Sequence, residues 1–225
     1  GKIILKAIEI KNKNIIAKII QGGVLMANKG INLPDSLISM PCLMEKDLKD
    51  LAFAIDNDLE WIALSFVRTP KDIEKVRQIV AKQGKISRVI AKIEKPEAIE
   101  RIDSIIKISD GIMVARGDLG VEIPMQNVPT IQKEIVRKCR RASKPVIIAT
   151  QMMESMIESI NPTRAEVNDV ANAVMDGADA VMLSAETSIG QHPVAVIKAI
   201  YKIVVKAETF DEIYHHYKIP NSENE

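Results

Sequence analysis

A chain of 225 residues can bury a sizeable core, and its 31 basic against 30 acidic residues leave no broad field to hold nucleic acid or an anionic membrane. No apolar run approaches the roughly 20 residues of a bilayer span and no basic, apolar leader opens the sequence, so it reads as cytoplasmic. The two cysteines, Cys42 and Cys139, have no CxxC spacing, and the histidines His192, His215 and His216 fall late and far from other ligands, which disfavours disulfide, zinc and imidazole chemistry.

Taken in order, residues 1–34 alternate short apolar and polar runs between Asn-Lys-Asn and Gln-Gly-Gly turn signals, which predicts a small β meander. After Pro34 and Pro41, helical spacing of Leu48, Leu51, Ala52 and Ile55 predicts a helix over 45–57. A strand, a polar or glycine-containing junction and an amphipathic helix then recur. The predicted strands are 61–67, 89–94, 112–115, 146–150 and 180–184. Helices are predicted over 72–81, 97–107 and 194–208, each preceded by an X-Pro start, and Thr163 with Glu166 forms a capping box for a helix ending near Gly177.

Such alternation requires a parallel sheet, and near-continuous Val, Ile, Ala and Met strands require burial on both faces. A barrel and a doubly wound sheet both satisfy this. Chemically active residues at the C-terminal ends of successive strands favour the barrel. Five units fall short of the eight of a closed barrel, so further sequence upstream of Gly1 is expected.

Lys92 and Glu94 lie two positions apart on one strand and so share a side. The next strand runs into Arg116-Gly117-Asp118-Leu119-Gly120, a junction expected to turn sharply and offer backbone N–H groups to an anion. Glu94 and Asp118 on adjacent strands suit one hard divalent ion, magnesium before others, with Lys92 as a point charge beside it. An isolated Lys-x-Glu is more often an ordinary ion pair, but two neighbouring strands ending in charge need a reason. Thr150 offers either a hydroxyl to substrate or a helix cap. Arg137, Lys138, Arg140 and Arg141 read as a solvated helix face, and Met152, Met153 and Met156 as packing residues.

Asn28 to Pro34, Ala91-Lys92-Ile93-Glu94, Met113 to Gly120 (MVARGDLG), Ala149 to Met156 (ATQMMESM), Pro162 to Glu166 and Asp169 to Asp179 together resemble pyruvate kinase in order and spacing over nearly the whole chain. The resemblance implies an α/β fold, a partial (β/α)8 TIM-type barrel of about strands four to eight. Residues 1–34 would be the end of a β-rich lid, 35–208 the barrel, and 209–225 a linker toward a further domain. It implies phosphoryl transfer from phosphoenolpyruvate to ADP, giving pyruvate and ATP, with magnesium and usually potassium, in a homotetramer.

Carried over by motif, Lys92 is expected to stabilise phosphoryl and enolate charge, with Glu94 and Asp118 as metal ligands. Gly117 and Asp118 would receive the substrate carboxylate, Thr150 would orient a proton-delivering water, and Lys29 would contact nucleotide. Asp35 and Ala185 depart from the family pattern, each standing where glycine is usual. By the same resemblance the potassium ligands and the arginine for the phosphate lie outside this sequence, so this stretch alone is not expected to be active. A magnesium-enolate aldolase or lyase, and an inactive binding or assembly piece, are the alternatives.

Overall fold

The computed structural model describes residues 3–27, 30–34 and 41–215. The chain divides into two compact units, residues 1–36 and 37–225.

In the first unit, β1 (Ile4–Lys11) and β2 (Asn14–Gln21) pair antiparallel, with Ile10 opposite Ile15 and Lys11 opposite Asn14. The two-residue turn between them has both φ angles positive, 47° at Asn12 and 67° at Lys13, the handedness that matches the twist of a hairpin. The expected meander is thus a single hairpin among the described residues. After Gly22 and Gly23 the run Val24 to Met26 joins no ladder, although it is apolar.

The second unit opens with α1 (Glu45–Asp56), whose Asp47 carboxylate accepts from the Met44 N–H at 2.8 Å. Five parallel strands follow in spatial order β3-β4-β5-β6-β7, the order of the chain. They are β3 (Trp61–Leu64), β4 (Arg88–Ile93), β5 (Gly111–Ala115), β6 (Val146–Ala149) and β7 (Ala180–Met182). Between them run α2 (Pro70–Lys82), α3 (Pro96–Glu100), α4 (Ile102–Ile108), α5 (Arg116–Glu122), α6 (Val128–Arg141) and α7 (Arg164–Met175), and α8 (Ala185–Ser188) and α9 (Pro193–His215) close the unit. Sequential order with a helix after each strand is the arrangement of a partial (β/α)8 barrel.

Local chemistry accounts for the helix starts. Asp72 accepts from the Thr69 N–H at 2.8 Å ahead of Pro70, and Glu166 accepts from the Thr163 N–H at 2.7 Å while Thr163 Oγ1 accepts from the Glu166 N–H at 3.2 Å. The core is aliphatic. Val89, Ala91 and Ile93 of β4 are buried on one face, and every residue of β5 is buried. Met152, Met153 and Met156 are fully buried, as packing residues should be.

Three boundaries differ from the sequence reading. The helix expected over 97–107 breaks at Arg101 (φ −111°, ψ 18°), which lets Ala98 of α3 and Ile102, Ile105 and Ile106 of α4 all reach the core. The glycine-bearing junction 116–120 is helical, with neither Gly117 nor Gly120 at positive φ. Finally, the predicted strand ends at Val67, Glu94, Thr150 and Ser184 lie beyond β3, β4, β6 and β7, because the chain turns there into the next element, with φ of 55° at Phe66 and 69° at Thr150.

Candidate active site at the strand ends

The alternating burial of β4 puts Lys92 on the face opposite Val89, Ala91 and Ile93, and Glu94 follows at the strand's C-terminal end. Lys92 Nζ donates to Ser65 Oγ at 2.7 Å, just past the end of β3. Glu94 is only 1% exposed and its Oε2 accepts from the Phe66 N–H at 2.6 Å. Its other oxygen, Oε1, is buried and lies 2.8 Å from Lys92 Nζ as an ion pair, with no hydrogen bond among the described residues. The Lys92 ammonium offsets the charge of this buried carboxylate, and the Oε1 lone pairs that take no hydrogen bond remain available to a further cation.

The register continues the site onto β5. Lys92 pairs with Met113 and Ile93 with Val114, so Glu94 leaves β4 beside the end of β5. Asp118 follows in the first turn of α5, half-buried, and its carboxylate takes part in no hydrogen bond or ion pair among the described residues.

Residues present thus fit a hard divalent cation. They offer a buried Glu94 oxygen that is ion-paired with Lys92 but takes no hydrogen bond, and an Asp118 carboxylate with no partner among the described residues, the one or two protein carboxylates that magnesium uses when water and substrate oxygens supply the rest. No group of three or more His, Cys, Asp or Glu side chains able to hold a metal occurs among the described residues.

On the next strand, Thr150 follows β6 in a left-handed conformation, φ 69°, and Gln151 continues it at 54°. Residues of this kind cost of order 1–3 kcal/mol each and persist only where their surroundings over-determine them. Here Thr150 Oγ1 donates to Ala149 O at 2.6 Å and accepts from the Gly117 N–H at 2.7 Å. The cap expected as an alternative for Thr150 is absent: the next helical turn, 154–157, begins from Met153. The Gly117 amide, read from the sequence as an anion donor, already has an internal acceptor.

Of the residues singled out in the sequence, direct contact joins Lys92 to Glu94 and Gly117 to Thr150, and Asp118 enters neither pair by hydrogen bond or ion pair. Lys29 lies outside the described residues. Four participants had no assigned role in the sequence reading: Ser65, the Phe66 amide, Arg116 and Asp169. The signal for Arg116 was a charge immediately after an apolar strand. Asp169 is 53 positions away from it, with no local pattern to connect them.

Neither thiol competes for chemistry. Burial, then the nearby Asp72, pushes Cys42 up to about 12, and burial pushes Cys139 up to about 12, so both stay protonated and are poor nucleophiles and metal ligands.

Ordered parallel strands carrying lysine, carboxylates and a hydroxyl at their C-terminal ends define the class, a (β/α) barrel with its candidate site at the C-terminal face of the strands. Comparison with known proteins narrows it. Residues 1–197 match the model of the family "Pyruvate kinase, barrel domain". A protein of Corynebacterium efficiens named pyruvate kinase is 50% identical over 222 residues, covering 99% of this chain and 47% of the relative. One from Mycobacterium intracellulare, with the same name, is 50% identical over 208 residues, covering 92% of this chain and 44% of the relative, and one from Thermotoga maritima is 45% identical, covering 99% and 48%. The chain belongs to the pyruvate kinase family, and it spans about half the length of these relatives.

Proposed function

We propose that the protein containing this chain transfers the phosphoryl group of phosphoenolpyruvate to ADP, yielding pyruvate and ATP. The observation that carries the reading is Lys92 Nζ 2.8 Å from a buried Glu94 oxygen that has no hydrogen bond, at the C-terminal end of a barrel strand. Chemistry of this type asks a protein for positioning and for neutralisation of spread negative charge.

Lys92, 23% exposed, presents its ammonium to the transferring phosphoryl group and to the enolate oxygen left behind, while Ser65 and Glu94 keep its long side chain in place. Glu94 and Asp118 would hold magnesium, which when bound supplies Lewis-acid stabilisation of the phosphoryl and carboxylate oxygens. The amides at the start of α5, Gly117 and Asp118, receive the substrate carboxylate, the Gly117 N–H being shared between it and Thr150 Oγ1. Thr150 orients the water that delivers a proton to the enolate carbon; its own hydroxyl, engaged with Ala149 O, is a poor acid. Lys29 contacts the nucleotide, and potassium is a further cofactor whose ligands lie outside this sequence.

In this reading residues 1–34 are the end of a lid, 35–208 the later five strands of an eight-stranded barrel and 209–225 a linker, in a cytoplasmic homotetramer. No described helix is long and apolar enough to cross a membrane. Among the described residues, strands β3 and β7 each pair on one side only, which favours a site completed by further strands and an inactive state for this piece by itself.

The test is ADP-dependent pyruvate formation, with magnesium, by the natural full-length protein and its Lys92→Ala variant. Turnover should fall by about 100-fold or more in that variant, on the scale of losing a charge-stabilising donor. Undiminished turnover rejects the role of Lys92.

A further inference from the structure

We propose that Arg116, backed by Asp169, is a positioning residue that holds the left-handed turn at Thr150 and Gln151 and so sets the direction of the Thr150 hydroxyl. The inference rests on the reading of Thr150 given above. Arg116 has a side chain only 10% exposed, and its guanidinium bridges the turn after β6 and helix α7. Nη2 donates to Thr150 O at 2.7 Å and to Gln151 O at 3.2 Å, Nε donates to Thr150 O at 3.2 Å, and Nη1 meets both oxygens of Asp169 on α7 at 2.8 and 2.7 Å.

The next residue along the chain, Gly117, gives its N–H to Thr150 Oγ1 at 2.7 Å. Two successive residues of α5 therefore hold Thr150 at both its carbonyl and its hydroxyl. A β-branched residue rarely adopts positive φ, so the turn depends on partners that pay for that conformation. A planar fork with five donors can serve two carbonyls and a carboxylate at once, which the point charge of a lysine cannot. Asp169 fixes the plane of the fork.

The test uses the natural full-length protein, comparing Arg116→Lys, Asp169→Asn, Thr150→Ala and each of the first two combined with Thr150→Ala. Arg116→Lys should lower kcat by about 10- to 100-fold, the scale of a small misplacement, with KM for phosphoenolpyruvate held within about threefold. Asp169→Asn, which keeps the side-chain volume, should lower kcat by a smaller factor of about 3 to 10 and carries the test if the lysine variant does not fold. In the Thr150→Ala background neither change should cost anything further, because the group being positioned is gone. Losses that multiply with an impaired Thr150→Ala enzyme overturn the positioning role alone. Parental kcat in both single variants overturns it too. Parental turnover in Thr150→Ala overturns it together with the role assigned to Thr150.

Discussion

The amide of Gly117 donates to Thr150 Oγ1 at 2.7 Å, across the ends of neighbouring strands β5 and β6. A Cβ at residue 117 would sit 3.3 Å from that same oxygen, tighter than an ordinary contact, so the hydroxyl must give way by a few tenths of an ångström. Alanine at a helical position gains about 1 kcal/mol over glycine, which offsets much of the crowding. Gly117→Ala should therefore leave stability within about 1 kcal/mol while lowering turnover. Urea denaturation beside steady-state kinetics of the full-length protein checks both halves, and a variant with intact turnover contradicts the arrangement.

Glu94→Gln keeps the shape of the side chain and an oxygen for the Phe66 N–H, but removes the counter-charge beside Lys92. Lys92 retains Ser65 and partial access to water, so the cost should sit near the low end for a disrupted buried polar pair, about 1–3 kcal/mol. Magnesium dependence is the sharper readout. The half-saturating concentration should rise well beyond any change in KM for phosphoenolpyruvate; an unchanged magnesium titration excludes Glu94 as a ligand.

Glu166 gives a pH prediction. Burial raises its pKa, but the Ser155 hydroxyl and amide and the Thr163 amide and hydroxyl outweigh this and hold it below its usual 4.5. With the folded-state value depressed, its stabilising contribution is complete above the unfolded-state value and is lost as pH falls through the folded one. Stability of the parent protein should drop on acidification below about pH 4.5 more steeply than that of Glu166→Gln, which also lacks part of a helix cap at a cost of about 1 kcal/mol at neutral pH. Thermal unfolding of both proteins between neutral and acid pH measures the difference, and parallel curves remove Glu166 from the acid limb.

Cys139 is fully buried and its thiol is pushed up to about 12. At mildly alkaline pH an alkylating reagent should modify it only after unfolding, since the thiolate is the reactive form. Mass analysis after iodoacetamide treatment in buffer and in urea checks this. Rapid native modification contradicts the packing of α6 against the sheet.

Much of the fold is legible in residues a few positions apart. The apolar strand cores, the Thr163 and Glu166 capping box, the Pro70 and Pro96 helix starts and the Lys92 and Glu94 pairing on one strand all follow from periodicity or from contacts of two to four residues. What periodicity does not reach is where strands stop. Phe66 and Thr150 turn left-handed because partners on other elements hold them, and a single helix over 97–107 gives way to two because the core accepts isoleucines from both halves.

By itself, then, the amino-acid sequence determined the alternation of strand and helix, the parallel sheet that alternation requires, and the charged groups at strand ends. Only the tertiary structure decided that the junction after β5 is a helix and that Arg116 reaches Asp169, 53 positions away, while Gly117 reaches Thr150 at a separation of 33. Local propensity is set by near neighbours along the chain. Long-range hydrogen bonds exist only once packing has brought distant residues within reach.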